Sequence, residues 1–139
     1  ENKAAGYSYA KTGDWNPRHC GWVYILAEND RIIKIGMTNA TLNSRFSSYQ
    51  AGTQKARDKG TCSVTNYNCS EYFRKNLRSG KKISIFAYPV EEIKTRRSIF
   101  GKDTSYLLKS AATYESALLG LYSERNSGNY PILCNNTSV

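Results

Sequence analysis

The chain has 139 residues, enough for one core and too few for two, and its 40% hydrophobic and 22% charged content, free of long polar tracts, excludes a disordered chain. No apolar run nears the roughly 20 residues of a membrane span, and the first fifteen residues lack the basic flank and apolar block of a signal peptide; a start at Glu1 without Met leaves processing, or excision from a longer chain, open. Twenty Lys and Arg against 11 Asp and Glu give a formal charge of +9 and a pI near 9.5, which draws polyanions and makes nucleic acid the first partner to consider, with a merely basic surface as the competing explanation.

In chain order, residues 1–20 are rich in Gly, Lys and Tyr and read as an irregular arm or cap, leaving 21–139 as the single domain. "WVYIL" predicts a strand, "ENDR" a hairpin turn supplied by Asn29 and Asp30, and "IIKIG" the returning strand. From Thr41 the spacing of Leu42, Arg45, Phe46 and Tyr49 is that of the inward stripe of a helix ending near Gly52. "TQKARDKGTCSVTNYNCS" has turn chemistry and positive charge and reads as a loop with a short extended piece. Ser70 caps a short helix, "EYFRKNLRSG", with Gly80 at its end. "KKISIFAYPV" alternates as a strand finishing at Pro89, and "RSIFG" offers a further pairing strand. "SAATYESALLGLYSER" is a helix with Ala111, Glu115, Leu118 and Tyr122 on one face and Gly128 as its stop, and "YPILCNN" is a last extended element. The fold class is α+β: a small domain with a central antiparallel or mixed sheet of about three strands, flanked by helices.

Cys20, Cys62, Cys69 and Cys134 are irregularly spaced without a C-x-x-C, and His19 is the one histidine, which argues against a zinc site. Two disulfides in an oxidising compartment and four free thiols in a reducing one both stay open.

Tyr24, Lys34, Arg45, Tyr49 and Glu115 each place a polar end inside an apolar pattern. An unpaired buried charge costs several kcal/mol or so, so such groups call for partners, a ligand or a wet cleft. Hairpin strands lie about 4.8 Å apart and the next helix packs on the same sheet, so three of them can converge, and Arg45 and Tyr49 share a helix face. Two cations, two phenols and a carboxylate suit a phosphodiester: the cations bear charge on nonbridging oxygens and the carboxylate holds a hard ion. A cation beside a phenol favours phenolate, with Lys34 the candidate for Tyr24. The plainer alternatives are a half-buried strand tyrosine, a snorkelling lysine, a paired surface arginine, a packing Tyr49 and a surface glutamate. His19 reads as a loop residue, and Glu28, Asp30 and Glu124 as solvated. Phosphate contacts are expected among Lys55, Arg57, Lys59, Arg74, Lys75, Arg78, Lys81, Lys82, Arg96, Arg97 and Lys102. Base reading is expected from Gln54 to Lys59 and from "NYNCSEYFRKN", which begins at Asn66.

"WVYIL" followed by "IKIG" resembles the GIY-YIG nuclease superfamily, here with "WVY" and "KIG" as the two motifs and Lys34 where most members have tyrosine. A subgroup of small type II restriction endonucleases has lysine there, and the likeness continues through "KIGMT", "SRFSSYQAG", "GTCSVTNY", "SIFGK" and "YESALL", from Gly21 to Cys134, leaving the N-terminal arm uncovered. The resemblance implies that Tyr24 is the general base tuned by Lys34, that Arg45 steadies the transition state, that Tyr49 bonds the scissile phosphate, and that Glu115 binds one Mg2+ or Mn2+. It further implies direct in-line hydrolysis of double-stranded DNA to 5′-phosphate and 3′-hydroxyl ends, a homodimer for a site-specific cut, and cytoplasmic residence. The alternatives are a less specific toxin or effector nuclease with the same centre, for which secretion is open, and a catalytically silent DNA-binding module.

Overall fold

The computed structural model describes residues 6–134. Strands β1 (Trp22–Glu28) and β2 (Arg31–Thr38) form the expected hairpin, and Asn29 enters its turn at φ 53°, a conformation that asparagine tolerates because its amide bonds locally. Strand β3 (Ile83–Pro89) pairs with the other side of β1, giving an antiparallel sheet of order β2-β1-β3. The register sets Tyr24 opposite Gly36 and Leu26 opposite Lys34, so these four share a face. Ala27 then pairs with Ile32, leaving Ile33 as the extra residue of a bulge. The bulge lets two consecutive residues, the wholly buried Ile33 and Lys34, serve one face.

Helix α1 (Leu42–Gln50) starts where Thr41 Oγ1 accepts the Ser44 amide and buries Leu42, Phe46 and Tyr49, the stripe its spacing predicts. The expected loop from Thr53 to Ser70 is mostly helical: a short α2 (Gln54–Asp58) is capped by Thr53, and α3 (Val64–Arg78) by Ser63. Ser70 is therefore not a cap; it is completely buried inside α3, bonded to the Tyr7 hydroxyl at 2.9 Å. α1 and α3 cover one face of the sheet, where Trp22, Tyr24, Leu26, Ile33, Leu42, Phe46, Tyr49, Cys69, Phe73 and Leu133 form the main core. Each large apolar side chain buried there contributes about 1.5–3 kcal/mol. α4 (Ala111–Arg125) lies on the other face, with Ala111 against Val23 and Val90, and Met37 and Leu118 at the margin.

Residues 6–21 run without helix or strand and line the first core: Tyr7 meets Phe73 edge-on, Tyr9 tilts over Phe46, and Trp15 meets Trp22. A largely apolar cavity of about 550 Å³ lies between this arm and β3; Tyr49 and Phe46 are among its walls, and Lys82 is the one charged side chain there. Beyond β3 the chain forms a separate two-stranded ribbon, β4 (Ile93–Ile99) and β5 (Lys102–Leu108). The sequence expectation of a strand at "RSIFG" is thus shifted, since Phe100 and Gly101 are the turn. Ser110 Oγ donates to the Glu91 carbonyl at 2.7 Å across the ribbon's base. The expected last extended element is instead a 3₁₀ turn, Ile132–Cys134, packed on β2, where Cys134 Sγ lies 3.3 Å from both the amide and the carbonyl of Ile35; Asn135 and Asn136 lie outside the described residues.

Glu28 is not solvated: it is buried, with Lys81 Nζ at 3.4 Å from one oxygen, while Oε2 has no partner among the described residues. All four cysteines are free thiols. Among the described residues no helix is long and apolar enough to cross a membrane.

Candidate active site

β1 delivers Tyr24, β2 delivers Lys34, α1 delivers Arg45 and Tyr49 from successive turns, and α4 brings Glu115 from the opposite layer. The Arg45 guanidinium ties the two phenols together. Its Nε donates to Tyr24 Oη and its Nη2 to Tyr49 Oη, both at 2.9 Å, while Nη1 donates to Asn66 Oδ1 at 3.3 Å. The same guanidinium lies 4.4 Å from the centroid of the Tyr49 ring.

The two phenol oxygens are 2.7 Å apart, so one must donate to the other. Burial pushes the Tyr49 phenol well above its ordinary pKa, the neighbouring Tyr24 adds to this, and Arg45 opposes it. Tyr49 thus stays protonated and can donate that hydrogen to the Tyr24 oxygen, which accepts from Arg45 as well. Any proton on Tyr24 itself has to point away from both donors. Gly36 makes room for this ring: a Cβ there would sit 2.5 Å from Tyr24 Oη and 2.6 Å from Cζ.

Lys34 is buried, and its Nζ reaches the Leu133 carbonyl at 3.5 Å, so the 3₁₀ turn roofs the lysine. The cation in direct contact with Tyr24 is therefore Arg45. Glu115 is partly buried; burial raises its carboxyl pKa, and the positive charges of Lys34 and then Arg45 pull it back. That coupling puts the Glu115 carboxyl within electrostatic reach of Lys34 and Arg45. Among the described residues it makes no ion pair within 4 Å, which leaves space between it and the cations. Tyr24, Tyr49 and Lys34 are buried while Arg45 and Glu115 keep partial exposure, so approach from outside runs past those two.

No group of three or more His, Cys, Asp or Glu able to hold a metal occurs among the described residues. Glu115 alone fits a hard cation that keeps most of its waters and takes phosphate oxygens, the habit of Mg2+, and does not fit a closed zinc or calcium cage.

The candidate DNA-contacting residues divide. Asn66 is drawn into the cluster through Arg45, a role with no sequence signal beyond its polarity. Arg74 bonds the Gly52 carbonyl and Ser70 Oγ and pairs with Glu71, tying α3 to the end of α1. Gln54 bonds Asp58 and Tyr67, and Arg57 bonds the Cys62 carbonyl. Lys55, Lys59, Lys75, Arg97 and Lys102 are exposed, as is Arg96, paired with Asp103 across the ribbon.

No protein-family model and no curated protein matches the chain. Among solved structures it is similar to the restriction endonuclease HPY188I in complex with product DNA, at 28% identity over 88% of this chain and 67% of that one, with a TM-score of 0.52. It is also similar to EndoII of bacteriophage T4, solved as a point mutant, at 18% identity over 78% of this chain and 74% of that one, with a TM-score of 0.58, a likeness of fold alone. The α+β scaffold that gathers Tyr24, Lys34, Arg45, Tyr49 and Glu115 is thus a restriction-endonuclease-like fold.

Proposed function

We propose that the chain is a metal-dependent endonuclease of GIY-YIG type that hydrolyses phosphodiester bonds in double-stranded DNA. The observation that carries this reading is the single guanidinium of Arg45 bridging two phenols opposite a carboxylate, with a buried lysine alongside. One phosphodiester matches the excess positive charge of Lys34 and Arg45 over Glu115. Tyr24, acting as the phenolate whose oxygen accepts from Arg45 and Tyr49, takes a proton from the attacking water and becomes the neutral phenol. The water oxygen bonds to phosphorus as the P–O3′ bond breaks, and the departing O3′ takes a proton from solvent water, leaving a 5′-phosphate and a 3′-hydroxyl. Arg45 bears the charge that grows on the nonbridging oxygens, Lys34 supports the same charge from the hairpin, and Tyr49 donates to the phosphate or to Tyr24. Glu115 would hold a single Mg2+ or Mn2+, which when bound supplies Lewis-acid charge at the leaving oxygen.

A site-specific cut in both strands calls for two such centres related by a twofold axis, hence a homodimer on DNA. The test is plasmid digestion with Mg2+ and with EDTA. Cutting only with metal is expected, and its loss in Glu115→Ala and Arg45→Ala while both still shift DNA on a gel. Full activity in either variant removes that residue from the mechanism. Discrete bands identify a restriction enzyme, and a smear at low enzyme identifies a less specific nuclease.

A further inference from the structure

The ribbon of β4 and β5 ends in a two-residue turn whose residues both have positive φ, Phe100 at 51° and Gly101 at 78°. Such turns take Asn-Gly or Asp-Gly, because only small or locally bonding residues adopt this backbone cheaply. Phenylalanine there is a conformational outlier, and nothing packs on it: its exposure is 103%, that of a free side chain. A strained backbone that displays a bare aromatic ring in water gains nothing for folding. Around it the ribbon is cationic. Lys94, Arg96, Arg97 and Lys102 stand against one acid, Asp103, which Arg96 neutralises. The register puts Arg97, Ile99 and Lys102 on one face just behind the tip. Seven residues per strand carry the tip about 23 Å from the ribbon's base, and that base opens directly into α4, one turn before Glu115.

Resting on the reading above, we infer that Phe100 is an aromatic wedge that inserts between stacked base pairs of duplex DNA, while Arg97 and Lys102 hold the flanking phosphates. An exposed ring at the point of a narrow cationic ribbon matches the unstacking side chains of proteins that kink DNA. A second copy of this basic chain would bring more positive charge to Lys94, Arg97 and Lys102, whereas duplex phosphates neutralise them.

The test uses the full chain and Phe100→Gly, which relieves the turn and so raises the melting temperature by about 3–6 °C. Gel shift of a fluorescent 30-base-pair duplex in EDTA should show affinity about 5- to 100-fold weaker for the variant, the loss that follows removal of one base-stacking aromatic. A plasmid relaxed by a type IB topoisomerase in EDTA should lose linking number with the native chain and keep it with the variant. Phe100→Trp should retain both effects. Equal binding and equal unwinding by native chain and Phe100→Gly overturn the wedge and leave the nuclease reading standing. A native chain that binds no DNA overturns both. If sedimentation without DNA shows that Phe100→Gly dissociates a dimer, the tip is a protein contact and the wedge is wrong.

Discussion

At Gly36 one hydrogen atom decides where the Tyr24 phenol can lie. Gly36→Ala puts a methyl 2.5 Å from Tyr24 Oη, and the ring must move because the strand cannot. The expected cost is about 1–3 kcal/mol in denaturant unfolding, with a loss of about 100-fold in single-turnover cutting, since a shift of roughly 1 Å in a positioned group has that effect. Glu115 carries a prediction of opposite sign for stability. Its carboxyl pKa is raised in the fold above its ordinary 4.5, chiefly by burial. A raised value means that protonation favours the folded state, with the full benefit below the unfolded value and its loss as pH climbs through the folded one. Glu115→Gln should therefore melt higher than the native chain at pH 7–8 without metal and equally at pH 3.5, while cutting nothing. For the same reason, activity of the native chain should fall away on acidification at a pH above the ordinary glutamate range. The five candidate residues stand out in the sequence because each breaks an apolar pattern. Asn66 and Glu28 do not, because a side-chain bond between two helices, or the burial of a strand's last residue, leaves no period to read.

α3 shows why an element can hide. Its buried positions, Cys69, Ser70, Phe73 and Asn76, follow helical spacing, but two are polar, so the stripe looked like a loop ending at a cap. Ser70 is tolerated inside because Tyr7 and Arg74 satisfy its hydroxyl, and Asn76 because it bonds the Tyr72 carbonyl. The working cap is Ser63, whose hydroxyl accepts the Asn66 amide, so Ser63→Ala should cost about 1 kcal/mol and loosen the residue that holds Arg45. The ribbon is only half legible in the sequence because its turn, Phe-Gly, lacks the usual chemistry, whereas the β1–β2 turn, with asparagine at positive φ, carries it. The closing 3₁₀ turn is short and gains its shape from β2 rather than from its own sequence. Leu133→Ala removes core volume and the stiffness of the roof over Lys34 together. It should lower stability by about 2–4 kcal/mol in urea melts and slow cutting at temperatures where the variant is still folded.

For the molecule as a whole, a formal charge of +9 makes DNA affinity a function of salt. Each phosphate contact contributes a slope of about −0.9 to log K against log salt. Replacing Arg97 and Lys102 together by Ala should flatten that slope by about 1.8, twice the change of about 0.9 expected for Arg45→Ala, which removes one phosphate contact. The net charge points to a polyanion but not to the cations that would meet it, since Arg74 and Arg57 spend their guanidinium groups on the fold itself. Cys69, completely buried with its thiol pKa raised by burial, lies in the same core as Tyr24 and Tyr49, while Cys20 is exposed. An alkylating reagent should tag Cys20 at the speed of a free thiol and Cys69 only when α3 lifts from the sheet. The lag between the two labels is then a built-in clock for how often the floor beneath Tyr24 and Tyr49 comes apart.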